Sequence, residues 1–356
     1  MSAPKARSCK LKIASFANNE NSQGYLFVQK SIFYYNKSMI ENDTQTINAA
    51  PENKLTFKNS IAENLYKHLH VLAKDIGKRN HLHPNGLKKA INYIKYQFEK
   101  YGYTADQQIY KADSVDMDFE NIIATLPGTK NKDSIIVIGA HYDTYGDTPG
   151  ADDNGSAVGV LLELARLFKD IKTEKTLRFV AFGNEEPPFF KTPDMGSMRY
   201  AKMCKTLGEN IEAMVCLESV GYYSDKPQSQ KYPSVLKYFY PDTGNFLSIV
   251  SNMPSRKLLK KATVSFKAGS KLPIENLWAP STLVNAITLS DQWAFWKCGY
   301  KAIMLCDTAF FRTPHYHTEQ DTLEKLDYDK MADVVDGSKQ ILLDLSTVNQ
   351  ENSNNK

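Results

Sequence analysis

Apolar positions recur along this chain with two different periods. Over 61–72 and 86–101 they fall at helical spacing. In the second stretch Ala90, Ile94 and Phe98 share one face, and Gly102 stands just past its end as a stop signal. Four short continuous apolar runs follow, at 135–140, 177–182, 211–217 and 302–306, and such runs read as strands buried on both faces. Between and after them the helical period returns. Over 156–168 it places Val158, Leu161, Leu162, Ala165 and Phe168 on one side, and over 330–345 it does the same for Val334, Val335, Ile341 and Leu345. Strands alternating with helices predict an α/β fold with a mostly parallel central sheet flanked by helices on both faces, whose sites lie at the carboxyl ends of the strands.

Two regions break this rhythm. Residues 1–57 are rich in Asn, Ser and Lys, with an apolar island at 25–35, and read as an N-terminal extension to a main domain at 58–347. Within that domain 221–284 carries seven aromatics between Tyr222 and Phe246 and prolines at 227, 233, 241 and 254, and reads as an insertion or lid over the strand ends. Residues 348–356 are polar and read as a disordered tail. No repeat period is present.

Composition narrows the class. The 356 residues are 42% hydrophobic and 24% charged, the mixture of a packed soluble protein and not of a disordered or fibrous one. Forty-four Lys and Arg against forty Asp and Glu are scattered and form no stripe, so no nucleic-acid partner is expected. No window reaches the roughly 18 uninterrupted apolar residues of a membrane span. The first residues lack the apolar stretch of a secretory leader, and the expectation is a cytoplasmic protein. The cysteines, Cys9, Cys204, Cys216, Cys298 and Cys306, are odd in number and far apart, which argues against a disulfide framework and against thiolate zinc. Oligomeric state leaves no mark in the sequence.

Chemistry gathers where the strands end. After the first run comes His141-Tyr142-Asp143, and residues two apart on an extended chain point the same way. A metal-binding histidine usually donates its other ring N–H to a carboxylate, which makes Asp143 an orienting partner. Next, GADDNGS at 150–156 combines glycines that permit a tight turn with two acids at a helix start, which serve there as caps or as ligands. The second run ends in Gly183-Asn184-Glu185-Glu186, the third delivers Glu218, and the fourth is followed by HYHTEQDT at 315–322. Each feature alone is explained by a solvated strand end. Together they place His or carboxylate at every predicted strand end, the pattern of a metal centre.

Charge supports a pair of ions. Two Zn²⁺ would bring four positive charges, of which Asp153, Glu186 and Glu218 remove three and a bridging hydroxide the last. Mixed nitrogen and oxygen donors without thiolate suit catalytic zinc. Glu185, next to a ligand without being one, is then the general base.

The ordered set HYD, GADDNGS, GNEE, LES and YHTEQDT resembles the catalytic signature of the co-catalytic zinc aminopeptidases, metallopeptidase family 28, and especially its compact bacterial members. The resemblance spans roughly 61–345. It implies a zinc-exopeptidase fold, in which His141 binds one zinc, Asp153 bridges two, and Glu218 completes the shell of the first. Glu186 and His317 would bind the second zinc, Glu185 would act as catalytic base, and Asp143 would partner His141. Many relatives have Asp where this chain has Glu218, and the longer side chain leaves occupancy of the full pair open. His315 is assigned to an orienting or solvated role, and Asp291 and Arg312 are weaker candidates for orienting ligands or touching substrate. Cys204 and Cys298 are assigned to packing.

The activity this implies is hydrolysis of N-terminal residues from peptides. Carboxypeptidase action, with Arg312 or Arg256 holding a substrate carboxylate, is one alternative. A single-zinc glutaminyl cyclase and a non-catalytic binding protein on the same scaffold are the others. No Gly-x-Ser-x-Gly elbow or phosphate loop is present, which removes serine-hydrolase and nucleotide-binding readings.

Overall fold

The computed structural model describes residues 56–232 and 234–347. The chain divides into two units, Met1–Thr56 and Phe57–Lys356, and the description concerns the second. The island at 25–35 and the tail at 348–356 lie outside the described residues.

The first helix, α1 (Ser60–Leu69), starts where the Asn59 side chain accepts a hydrogen bond from the Ala62 N–H, and it widens into a further turn, His70–Ile76, that Gly77 ends at a φ of 69°. Helix α2 (Pro84–Lys100) has proline in its first turn and buries Ala90, Ile94 and Phe98 as the period requires. Five more follow: α3 (Ala157–Phe168), α4 (Gly196–Thr206), α5 (Arg256–Gly269), α6 (Gln292–Lys297) and α7 (Tyr328–Ser346), the last capped by the Asp327 carboxylate, which accepts from the Lys330 N–H.

Eight strands form one sheet: β1 (Ala105–Ala112), β2 (Met117–Leu126), β3 (Asn131–His141), β4 (Lys175–Phe182), β5 (Asn210–Glu218), β6 (Leu247–Asn252), β7 (Ile274–Ala279) and β8 (Ala302–Cys306). Their spatial order is β1-β2-β4-β3-β5-β8-β6-β7. The centre is parallel, as β3 pairs with β4 and β5, and β5 with β8. The margins are mixed: β1 and β2 run antiparallel to their neighbours, β6 is antiparallel to β8, and β7 parallels β6. The four apolar runs are β3, β4, β5 and β8, and they are continuous because both faces are covered. On β3, Ile136 and Ile138 join one apolar layer, and Ile135 and Val137 join the other.

The segment 221–284 differs from its expected form as an insertion or lid over the strand ends. Its second half supplies β6, α5 and β7, which extend the sheet past β8. The physical reason is burial: Leu247, Ile249 and Val250 on β6 and Leu259 and Phe266 on α5 are core residues. Four cysteines are buried and free, and Cys9 lies outside the described residues.

The connection leaving β3 runs to β4 on one side and the one leaving its neighbour β5 runs to β6 on the other, so the two diverge and open a crevice at these carboxyl ends. The loop that leaves β3 at this point is held by Arg79, which is fully buried. Its Nε donates to the Tyr142 carbonyl (2.7 Å), Nη1 to Leu72 (3.1 Å), Gly77 (3.0 Å) and Pro149 (2.7 Å), and Nη2 to Gly150 (2.8 Å). Burial pulls its pKa down to about 10, opposed by Asp321, Asp143 and Asp153, so it remains a cation beneath an acidic site. Replacing Arg79 with Met removes donors from five backbone carbonyls at once, three of these bonds buried and two part-buried. The expected loss is at least about 3 kcal/mol, read as a lower urea midpoint. An unchanged midpoint would show that the loop holds itself.

Candidate metal centre

The side chains singled out at the strand ends reach the crevice from several different elements. His141 is the last residue of β3. Its Nε2 lies 3.4 Å from Asp153 Oδ1, 3.3 Å from Glu218 Oε2 and 3.9 Å from Glu185 Oε2. Its Nδ1 lies 3.5 Å from Asp143 Oδ1 and 3.2 Å from the Asp143 carbonyl, which orients the ring. Asp153 comes from the turn that Gly150 opens at a φ of 60°. Glu185 and Glu186 follow β4, Glu218 closes β5, and His317 stands in the loop after β8 at a φ of 59°.

Of the adjacent acids at 152 and 153, only the second faces the imidazoles. Asp152 Oδ1 accepts from the Gly221 N–H at 2.8 Å, whereas Asp153 Oδ2 lies 3.1 Å from His317 Nε2. His317 Nε2 is also 3.3 Å from Glu186 Oε1. Two donor triads result, His141–Asp153–Glu218 and Asp153–Glu186–His317, with the ligating atoms of each triad within 4.8 Å of one another. Asp153 belongs to both.

Two further aspartates hold these loops by their amides. The Asp143 carboxylate accepts from the Glu185 and Glu186 N–H groups, each at 3.1 Å. Asp321 does the same for Asp152 at 2.8 Å and Asp153 at 3.1 Å. Glu218 is fixed by the Ser290 hydroxyl, which donates to Oε2 at 2.6 Å, and by the Ser219 hydroxyl at 3.0 Å.

The two histidines are steadied differently. Where His141 has a carboxylate, His317 has two aromatic faces. The Tyr145 ring stacks on it at 3.9 Å and 5°, and the Tyr316 ring at 3.8 Å and 16°. Tyr145 is itself fixed through its neighbours, since Asn80 Nδ2 donates to the carbonyls of Thr144 (2.7 Å) and Gly146 (2.6 Å).

Electrostatics show what this cluster lacks. Burial and the Asp153 charge push Glu186 up to about 7. Burial raises Glu185 well above the ordinary carboxylate range, with Glu186 and Glu218 adding to it against His141. Burial with Asp152 raises Asp321 to about 8. Against burial, which acts upward, the imidazoles hold Asp153 below the usual range. His317, against the downward pull of burial, is held at about 10 by Asp153 and Glu186. Asp153 Oδ1 and His317 Nε2 are buried without hydrogen-bond partners. A bound divalent cation would answer the charge and the orphaned atoms, and the nitrogen and oxygen donors are of the kind zinc takes in catalytic sites.

Three weaker candidates lie outside both triads, Asp291 among them although it feels the charges of His141, Glu218 and Asp143. His315 is half-buried and packs edge-on against Tyr222. Asp291 is fully buried but forms no helix cap, and neither carboxylate oxygen has a hydrogen-bond partner. Burial pushes it up to about 7. Arg312 is buried, its Nε donating to Gln230 at 2.8 Å and its guanidinium lying over Phe246. Ser290, Tyr145, Tyr316, Asn80 and Arg79 are the site's supports that local sequence reading misses. Asp321 stood within the quoted YHTEQDT segment without a role.

Comparison with known proteins agrees with this geometry. The model of Peptidase family M28 matches residues 121–342. An uncharacterized Escherichia coli K12 protein, YfbL, is 33% identical over 300 residues, covering 82% of this chain and 90% of its own. A probable leucine aminopeptidase of Trichophyton verrucosum is 27% identical over 289 residues, covering 77% and 70%. Among solved structures, BSAP, a zinc aminopeptidase from Bacillus subtilis, superimposes with a TM-score of 0.64 at 16% identity over 84% of this chain and 97% of its own, a likeness of fold.

The raised groups set a pH dependence for the metal-free protein. Glu186 at about 7, Asp321 at about 8 and His317 at about 10 all bind protons more tightly folded than unfolded. Their stabilisation is therefore present on the acid side and is lost as pH rises through these values. The thermal midpoint of chelator-stripped protein is expected to fall between about pH 5.5 and 9. Saturating Zn²⁺ should reverse the slope, since the ligands bind it deprotonated. A flat profile in both states contradicts the electrostatic picture.

Proposed function

This chain belongs to peptidase family M28, and we propose that it is a zinc aminopeptidase that removes N-terminal residues from peptides. The observation that carries the reading is the shared Asp153, with one oxygen toward His141 and the other toward His317. In this reading His141, Asp153 and Glu218 hold one ion, and Asp153, Glu186 and His317 hold the second. Zinc there supplies Lewis acidity, polarising the scissile carbonyl and lowering the proton affinity of water.

The remaining work falls to the chain's own groups. Glu185 stands 3.9 Å from His141 Nε2, at the edge of the first triad. It takes a proton from water as the nucleophile attacks and hands it to the departing amine, a task its upward-shifted pKa suits. The Tyr316 hydroxyl is kept protonated by burial and by the carboxylates of Asp153, Glu186, Glu218 and Glu185, so it remains a donor. An apolar pocket walled by Phe246, Val250, Ile287 and Met304 opens beside Glu218 and accepts the first side chain of the substrate.

The alternatives are less well served. For carboxypeptidase action, Arg312 is buried, with its Nε on Gln230, its Nη1 on the Tyr222 carbonyl and its Nη2 without a hydrogen-bond partner. A single-zinc cyclase would leave the first triad without a task. Among the described residues no helix is long and apolar enough to cross a membrane.

Glu185→Gln is expected to lower kcat at least about 100-fold with zinc content nearly unchanged. Full turnover would refute the base assignment, and N-acetylated peptides should resist the wild-type enzyme. Tyr145→Ala frees one face of His317. It should speed loss of one zinc per chain to a chelator, with Tyr145→Phe behaving as wild type. Equal loss rates would show that the ring stack does not position His317.

A further inference from the structure

The pocket beside Glu218 has a second carboxylate at a defined distance from the first. Residues that face one another across paired strands point to the same side of the sheet. Glu218 of β5 is opposite Cys306 of β8, Cys306 is opposite Ser248 of β6, and Ser248 is opposite Glu275 of β7. All four line the pocket. They therefore form a row across four adjacent strands, with a carboxylate at each end and two small side chains between. Cys306 and Ser248 leave a trough, and Phe246 and Tyr316 help to wall it.

Glu275 has no partner of its own. It is half-buried and makes no ion pair or hydrogen bond among the described residues. Lys231, the other charged side chain at the pocket besides Glu218, is exposed and also makes no ion pair there. A ligand cation would give this carboxylate the charged partner it lacks.

Length selects the ligand. Three strand steps of about 4.8 Å separate Glu218 from Glu275 by roughly 14 Å. An extended lysine spans about 8 Å from its α-nitrogen to its ε-nitrogen, and a gap of about 3 Å at each end brings the total to about 14 Å. A leucine side chain stops short of Glu275 and offers it no charge.

Resting on the aminopeptidase reading above, we infer that Glu275 is a specificity residue and that the enzyme prefers peptides whose first residue is basic and long, lysine or arginine. The α-amino group sits at the Glu218 end, the side-chain stem lies over Cys306 and Ser248, and the cation meets Glu275.

The test compares lysyl and norleucyl p-nitroanilides, which match in chain length and differ in the terminal cation. Wild type should favour lysyl in kcat/KM by at least about tenfold, and Glu275→Gln should lower that ratio at least about tenfold. An equal ratio in both proteins overturns the inference. Calorimetric titration with L-lysinamide and L-norleucinamide needs no turnover. Lysinamide preference that disappears in Glu275→Gln, without cleavage of either anilide by wild type, upholds the pocket and sinks the peptidase reading. Cleavage of both anilides with no lysine preference in either measurement does the reverse.

Discussion

A single buried carboxylate, that of Asp153, faces two imidazoles from opposite ends of the domain's sequence. Every other feature of the site follows from keeping it there. Asp321 grips the backbone amides of 152 and 153, and Asp143 grips those of 185 and 186, so two aspartates set the positions of four acidic residues through their backbones. Amide grips of this kind fix a loop more firmly than side-chain contacts, because the backbone N–H groups would otherwise be buried unpaired. The resulting concentration of negative charge is tolerable only with cations near it. Arg79 supplies one from below, and the raised proton affinities of Glu185, Glu186 and Asp321 show that it is not enough.

The architecture explains why these groups meet at this point and no other. The parallel centre of the sheet aligns the carboxyl ends of β3, β4, β5 and β8 along one edge, and the divergence of the connections leaving β3 and β5 leaves room above them. The same sheet then does a second task. By continuing through β6 and β7 it lays a floor beside the metal centre, and the register of that floor fixes the spacing between Glu218 and Glu275. The donor triads and the proposed specificity pocket thus share one sheet.

Much of this was legible in the chain before any folding was considered. The runs that became β3, β4, β5 and β8 stood out because strands covered on both faces lose the polar alternation that would make them ambiguous. Outer strands carry no such mark. The β1 sequence, ADQQIYKA, alternates with polar residues at a sheet margin, and β6 and β7 hide among prolines and aromatics. The motif residues were also legible, since each acid or histidine ends a strand that could be recognised or stands in the loop that follows one. Their supports were not. Tyr145 lies far along the chain from the His317 ring it covers, Ser290 is 72 positions from Glu218, and Arg79 is 63 from the Tyr142 carbonyl it holds.

The amino-acid order by itself determined the local quantities: which segments are helix or buried strand, which residue types end each strand, and the class of chemistry those types can perform. Tertiary structure alone decided which of the adjacent acids 152 and 153 turns inward, what braces each histidine, that Arg312 is buried against Gln230, and how far Glu275 stands from Glu218. The division has a physical origin. Hydrophobic period and turn chemistry act within a few residues and can be read along a line, whereas strand order and register arise from pairing between distant segments whose energies depend on the whole packed core.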